Sequence, residues 1–372
     1  MISDKPLSQR PIYGVVLAAG EGTRMKSSVP KPLHKICGRS LLGHVLFSLP
    51  SKIVEKVIIV VGSNSEDFVQ EVQSLSLEFE VVFVEQTLKR GTADAVAVAV
   101  EYLSKIGQEI DILVLSADTP LLKTSTLESF IDTHRNNSYD CTLMTALVDD
   151  PFGYGRIIRN KNQDVEKIVE QTDADDFEKQ IREINAGIYC FYLAELITSL
   201  SFISPDNAQN EYYLTDVIQH QVSKQLSMGV FCVPDPIEIY GVNNKLQLSF
   251  AQTAMRERIN QTWIQNGVHI VDPSNAYIDI QVILDQDVVI LPGSILSGQT
   301  QVGAGSQIGP NSELNNCIIG QRAVINHSAL QNCQVGPNCK VGPFTVIEAN
   351  VVLDEGTVGA SFSTISSNNN NK

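Results

Sequence analysis

Over residues 1–240, short aliphatic and β-branched runs alternate with longer stretches of mixed polarity. The runs occur at Tyr13–Ala18, Val57–Val61, Val81–Val84 and Ile112–Leu115. Between them, Ser40–Leu49 and Ala93–Ile106 have helical character. Brief Val- and Ile-rich runs, each followed by a helix, predict βαβ units around a mostly parallel sheet, an α/β fold of the Rossmann-like kind. Ligands of such sheets sit beyond the carboxyl ends of the strands. Residues 243–267 read differently. Ala251, Met255, Ile259 and Trp263 recur at i, i+4 spacing, which predicts one linker helix with a single packed stripe, ended by Gly267.

From Val268 the texture changes again. Residues 268–372 carry only 11 charged side chains, and aliphatic residues recur every six positions. Val302, Ile308 and Leu314 keep this phase, as do Val335, Val341, Ile347 and Leu353, and glycine follows four of them directly, at 303, 309, 336 and 342. A six-residue period is the hexapeptide signature of a parallel β-helix, whose aliphatic residues point inward and stack coil on coil. Over residues 268–366 it predicts roughly five coils of about 18 residues each. Residues 367–372 read as a polar tail.

Composition narrows the picture. The chain has 372 residues, 43% hydrophobic and 19% charged, enough for two or three domains with proper cores. No apolar run approaches the roughly 18–20 residues that span a bilayer, and MISDKPLSQRP lacks the pattern of a secretory signal. No membrane association is expected. Seven cysteines at 37, 141, 190, 232, 317, 333 and 339 form no CxxC pair, which fits a reduced, cytoplasmic protein. With 27 basic against 42 acidic side chains the net charge is −15, which argues against nucleic acid as a partner.

Against that acidic background, residues 1–39 hold seven Lys or Arg and only two acids. Within them, Leu17-Ala18-Ala19-Gly20-Glu21-Gly22-Thr23-Arg24-Met25-Lys26 follows the first predicted strand, and Pro30-Lys31-Pro32-Leu33 comes next. Small residues let a ligand approach the backbone, and successive N–H groups can cradle an anion. The segment is neither a Walker A loop nor a dinucleotide fingerprint, since Met25 stands where a third glycine would fall. A glycine-rich turn with Arg24 and Lys31 suits a triphosphate, the backbone positioning it and the cations offsetting its charge. Asp118 also stands out, just past the apolar run ILVL at a strand's carboxyl end. Its residue type equally suits a helix cap.

The segment LAAGEGTRMKSSVPKPLHKICGRSLLGHV resembles the N-terminal signature of sugar-1-phosphate nucleotidyltransferases, above all the bifunctional bacterial N-acetylglucosamine-1-phosphate uridyltransferase/glucosamine-1-phosphate acetyltransferase family. Further motifs follow in family order: Glu85-Gln86 with Gly91-Thr92, ADTP at 117–120, GYGR at 153–156, IVE at 168–170, EINAG at 183–187, NEYYLTD at 210–216 and GVNN at 241–244. The resemblance implies a nucleotidyltransferase domain over 1–242, then the linker helix and a short left-handed β-helix. It implies that Leu17, Ala18, Ala19 and Gly20 lie against the nucleotide while Arg24 and Lys31 hold its phosphates. Gln86, with Gly91 and Thr92, would read uracil, because an amide offers a donor and an acceptor. Gly155, Glu170, Asn185 and Thr215 would hold the sugar. Asp118 and Asn243 would bind Mg2+, a hard cation suited to oxygen ligands.

The implied reaction joins UTP and N-acetylglucosamine 1-phosphate to give UDP-N-acetylglucosamine and pyrophosphate, with Arg24, Lys31 and Asp118 as its catalytic residues. Another sugar 1-phosphate, such as glucose 1-phosphate with UTP or dTTP, or a non-catalytic scaffold, are the alternatives. The resemblance also implies a homotrimer assembled through the β-helix. The sequence departs from the family in its last part. Glu348 falls where a basic residue is expected, and the only histidines beyond Gly267, His269 and His327, lie in no matching motif. No acetyltransferase activity is therefore expected.

Overall fold

The computed structural model describes residues 10–63 and 65–366. The polar tail at 367–372 lies outside the described residues, as does residue 5 of the basic N-terminal segment. The chain divides into two compact units. One comprises residues 10–34 with 40–247; the other comprises 35–39 with 248–366.

The first unit is built on a nine-stranded sheet. Its strands are β1 (Ile12–Leu17), β2 (Val54–Val61), β3 (Glu80–Glu85), β4 (Asp111–Ser116), β5 (Cys141–Leu147), β6 (Arg156–Arg159), β7 (Val165–Val169), β8 (Glu183–Tyr192) and β9 (Met228–Cys232). The order is β9-β5-β8-β4-β1-β2-β3, and β6 and β7 form an antiparallel extension paired to β8. β4, β1, β2 and β3 run parallel, whereas β8 runs antiparallel to both its neighbours. All four predicted strands fall in this parallel half.

Alternate residues of these strands feed two cores. Val16, Val57, Ile59, Leu113 and Leu115 pack with α1 (Leu41–Ser48), α2 (Glu66–Ser74) and α4 (Thr124–Asn136) through residues such as Leu46, Phe68 and Phe130. On the other face Val15, Ile58, Val60, Ile112 and Val114 meet α3 (Thr92–Ser104), α5 (Leu193–Leu200) and α6 (Leu214–Ser223) through Val96, Leu196 and Val217. Burial on both faces explains why the strands read as unbroken aliphatic runs rather than as alternating ones. The carboxyl ends of β1–β4 lead directly into Ala18, Gly62, Gln86 and Ala117. That edge carries the cleft described below.

The last helix, α7, spans Lys245–Gln265. Ala251, Met255 and Ile259 are buried as the spacing predicts, but Trp263 is only partly so. Buried Asn260 joins the stripe because its amide donates to the carbonyls of Pro273 and Ala276 at 2.8 and 3.0 Å. Gly267 follows with φ +94°, a left-handed stop.

The second unit is a three-sided parallel β-helix of the left-handed hexapeptide class. Its three sheets contain five, six and five short strands. Ile270, Ile290, Ile308, Ile325 and Val341 line one side of its core. Leu296, Leu314, Leu330 and Ile347 line the second, and Val302, Ile319, Val335 and Leu353 the third. The six-residue phase slips to five between Leu314 and Ile319 and again from Ile325 to Val335, which hides this stretch from a strict hexad search. The glycines after inward aliphatics sit where the next coil passes closely. A Cβ on Gly303 would lie 2.8 Å from Gln321 N, and one on Gly320 2.5 Å from Pro337 N. Residues 35–39 belong to this unit because Cys37 N–H donates to Gln252 Oε1 (2.9 Å) and Ile280 N–H to Cys37 O (3.0 Å). Among the described residues no helix is long and apolar enough to cross a membrane.

Candidate active site

A cleft of about 630 Å³ opens at the carboxyl edge of the first unit's sheet, within the size range of small-molecule sites. Leu17, Ala18, Ala19 and Gly20 form one wall. Ala18 N–H donates to Val60 O and Ala117 N–H to Leu17 O, so neighbouring strands hold the start of the loop. Past it the chain turns sharply. Gly22 has φ +61°, and a Cβ there would lie 2.8 Å from Lys31 Cβ. Only glycine lets the loop lie this close to the segment that carries Lys31. Gly20 has open space where a side chain would be.

Lys31 lies at the polar centre of the cleft. Its ammonium bonds Asp118 Oδ2 and, at 3.1 Å, Asn243 Oδ1. Arg24 Nη2 also donates to Asn243 Oδ1, at 3.1 Å. Lys31 and Asp118 are both largely buried, whereas Arg24 is exposed. Asp118 is fixed through its own carbonyl, which accepts Val242 N–H at 2.9 Å, and Asn243 N–H is capped by Gln247 Oε1 at 2.8 Å. Four residues far apart in sequence thus meet. The following helix is capped by Asn244, whose Oδ1 accepts Gln247 N–H at 2.9 Å, not by Asn243.

The same meeting tests whether a cation fits. Two hard oxygen donors, one carboxylate and one amide carbonyl, converge on a single positively charged atom. Among the described residues no cluster of three or more His, Cys, Asp or Glu side chains forms a ready-made cage. The donor set therefore suits a cation bound by one carboxylate and one neutral oxygen that completes its shell with water and ligand phosphate.

Gln86, Gly91 and Thr92 line a second wall. Gly91 adopts φ +115° with ψ 180°, and a Cβ there would lie 2.5 Å from Tyr212 O. The turn is laced to the 210–216 segment: Tyr212 N–H donates to Arg90 O (2.7 Å), Ala93 N–H to Tyr212 O (2.9 Å) and Leu214 N–H to Thr92 Oγ1 (3.1 Å). Gly91→Ala combines a glycine-only conformation with a backbone clash. It should destabilise the protein by about 1–3 kcal/mol or more, read as a lowered midpoint in urea unfolding. Gln86 departs from expectation in one respect. Its Nε2 donates to both Gly91 O (3.3 Å) and Asp94 Oδ2 (2.8 Å), so the amide has no donor left for a ligand.

Glu170, Asn185 and Thr215 line the far end. Thr215 Oγ1 donates to Glu170 Oε1 at 3.1 Å. Burial raises the Glu170 carboxyl above its usual range, an effect the Thr215 hydroxyl partly offsets. Asn185 Nδ2 donates to the Tyr189 hydroxyl (2.6 Å), while its Oδ1 accepts Gly187 N–H (3.1 Å). Gly155 is not a wall residue. A Cβ there would crowd Ile168 Cγ2 at 3.0 Å and meet Glu170 Oε2 (3.4 Å) and Asn185 Cβ (3.5 Å) at ordinary contact distance, so Gly155 packs beside these residues.

Several lining residues escape sequence reasoning. Tyr189 reads as core because it lies in an apolar strand, yet it reaches the cleft. Lys89, at the mouth, is paired to Glu21 of the glycine loop at 3.0 Å. Its signal was available, as a Lys89-Arg90 pair just before Gly91.

A family model for nucleotidyl transferases matches residues 13–235, the span that holds all of these walls. Bifunctional protein GlmU of Clostridioides difficile strain 630 is 42% identical over 306 residues, covering 82% of this chain and 65% of that protein. GlmU of Geobacillus sp. strain WCH70 is 43% identical over 310 residues, covering 83% and 66%. GlmU of Caldanaerobacter subterraneus subsp. tengcongensis is 42% identical over 309, with the same coverage. The chain thus spans about 65% of the length of the curated relatives it matches. By fold, site and this match over more than half of its length, the chain belongs to the nucleotidyl transferase family.

Proposed function

We propose that this protein transfers a uridylyl group from UTP to N-acetylglucosamine 1-phosphate, giving UDP-N-acetylglucosamine and pyrophosphate as a cell-wall precursor step in the cytoplasm. The observation that carries the reading is the convergence of Lys31, Arg24, Asp118 and Asn243. Lys31 and Asp118 line the same cleft as the small-residue loop and the Glu170 carboxylate, Asn185 amide and Thr215 hydroxyl, while Arg24 and Asn243 reach them from outside its lining.

Two phosphate-bearing anions must be brought together, and their repulsion sets part of the barrier. A phosphate oxygen of the sugar 1-phosphate attacks the α-phosphorus in line, and the bond to the bridging oxygen of pyrophosphate breaks. No covalent protein nucleophile is needed. The backbone N–H groups of Ala19 and Gly20 position the triphosphate, and the free space at Gly20 admits it. Lys31 and Arg24 stabilise the charge that accumulates on the phosphoryl oxygens. Mg2+, held by Asp118 and Asn243, supplies further positive charge to the phosphates when bound. Glu170, Asn185 and Thr215 receive the sugar's hydroxyls and acetamido group, with Gly155 packed beside Glu170 and Asn185.

Glu170 offers a check on the sugar end. Its folded state holds a proton more tightly than the unfolded chain, so ionisation at neutral pH costs stability. That cost disappears as pH falls through the raised value toward the ordinary 4.5. Glu170→Gln keeps an acceptor for Thr215 and removes the charge. It should raise the melting temperature at pH 7, with the gain shrinking on acidification. The same variant should lower kcat/KM for the sugar phosphate about tenfold or more.

The β-helix is assigned to homotrimer assembly and not to acetyl transfer. His327 bonds its neighbour Asn326 and packs against the Phe344 ring, and no basic residue lies at Glu348. Incubation with acetyl-CoA and glucosamine 1-phosphate should release no CoA. The direct test is a matrix of nucleoside triphosphates and sugar 1-phosphates assayed for pyrophosphate with and without Mg2+. The greatest release should come from UTP with N-acetylglucosamine 1-phosphate. Release confined to another pair would reassign the substrate, and none with any pair would favour a scaffold.

A further inference from the structure

We propose that Asp94 is a positioning residue that sets the choice of pyrimidine, by locking the Gln86 amide so that only its oxygen faces the base. The inference rests on the uridylyl reading above and extends it to a residue outside the recognised motifs.

Gln86 is nearly fully buried, at 5% exposure, beside the cleft. Its Nε2 faces two acceptors at once, Gly91 O at 3.3 Å and Asp94 Oδ2 at 2.8 Å. This fixes which end of the amide is nitrogen, because an oxygen placed there would oppose a carbonyl and a carboxylate. Both amide hydrogens are thereby consumed. Oε1 remains as the group the side chain can offer, and it is an acceptor only. Asp94 is itself held. Arg90 donates to its other oxygen, Oδ1, through Nε at 3.1 Å and Nη2 at 2.7 Å. Asp94 lies in the first turn of α3, where the sequence alone suggests no more than a favourable acid at a helix start.

An acceptor-only contact selects by chemistry. Uracil and thymine carry a donor at N3, whereas cytosine has a lone pair there. Gln86 Oε1 would accept the N3–H of the first two and repel the third. A site built this way discriminates strongly, since the wrong base leaves a buried polar group facing its like. The relay Arg90–Asp94–Gln86 therefore decides pyrimidine class without Asp94 touching the substrate.

Asp94→Asn tests this with an isosteric change. Arg90 requires an oxygen opposite its guanidinium, so the new Nδ2 falls where Oδ2 was and confronts Gln86 Nε2 donor to donor. The Gln86 amide then turns over and presents a donor to the base. We expect the wild-type protein to prefer UTP over CTP by at least about a hundredfold in kcat/KM. In D94N this ratio should fall at least tenfold, through KM more than kcat, while the ratio of UTP to dTTP stays fixed. D94E, which keeps a carboxylate acceptor, should retain the preference, a rescue that a purely structural role for position 94 would not show. The same preferences can be read from ligand-induced shifts in melting temperature should D94N turn over too slowly to assay. A UTP:CTP ratio unchanged within twofold in D94N, by either readout, would overturn the proposal. Absence of any pyrimidine preference or uridylyl transfer in the wild type would instead sink the functional reading beneath it.

Discussion

Asp118→Ala should abolish Mg2+-dependent pyrophosphate release, with a loss in turnover exceeding about a thousandfold. The expectation follows from position and partners. Asp118 lies just past the carboxyl end of β4 and pairs with Lys31, whose ammonium also bonds Asn243. Its removal takes away the charged member of a two-oxygen donor set and leaves the Lys31 ammonium with only an amide oxygen as partner. Both effects act where charge accumulates in the reaction, and loss of a single preorganised group there already costs about 10²–10³. The fold should survive, because the Asp118 main chain, not its side chain, bonds Val242. A Mg2+ titration checks this: Asp118→Asn should retain partial activity with a raised Mg2+ requirement. Unchanged turnover in the alanine variant would reject the assignment.

Lys31→Ala is expected to lower kcat by about 10²–10³, with a smaller effect on KM for UTP. Lys31 is the cation that the glycine loop is shaped around, as Gly22 abuts its Cβ. Arg24 reaches the same Asn243 oxygen from an exposed position, where solvent weakens its field, so Arg24→Ala should cost less than Lys31→Ala. The order of the two losses is part of the prediction. Lys31→Arg should restore little, because a larger, planar guanidinium spreads its charge and does not fit the place of the compact ammonium held by Asp118 and Asn243. Losses below threefold for both alanine variants, measured by pyrophosphate release at saturating UTP, would remove both residues from the catalytic account.

These expectations grew from features that the sequence carries to different degrees. The parallel half of the sheet was legible because strands buried on both faces read as plain aliphatic runs, as at Val57–Val61. The antiparallel strands β6–β8 were not, since their residues mix charge and apolarity and owe their pairing to distant partners. The β-helix declared itself through inward aliphatics followed by glycine, and it went silent between Leu314 and Val335, where coils lose one or two residues. The capture of residues 35–39 by the second unit depends on hydrogen bonds of the Cys37 main chain with Gln252 and Ile280, which no local pattern announces.

The site was legible where it rests on backbone chemistry. The loop from Leu17 to Arg24 stands out in residue type alone, because small residues and cations in that order suit a bound phosphate. Asn243 did not, since an asparagine before a helix has a sufficient local explanation as a cap. Only the meeting of its oxygen with Lys31 and Arg24 gives it another role. For Gln86, whether the amide offers donor or acceptor is set by neighbours such as Asp94, eight residues on in a helix that forms only upon folding.

The most direct test of the central claim is a crystal structure of the protein grown with Mg2+ and UTP. The account predicts density for the triphosphate along Ala18–Gly20 with Lys31 and Arg24 on its phosphates. The metal should lie at Asp118 and Asn243, and the uracil N3 should face Gln86. Nucleotide bound at any other surface, with this cleft filled by solvent alone, would contradict it.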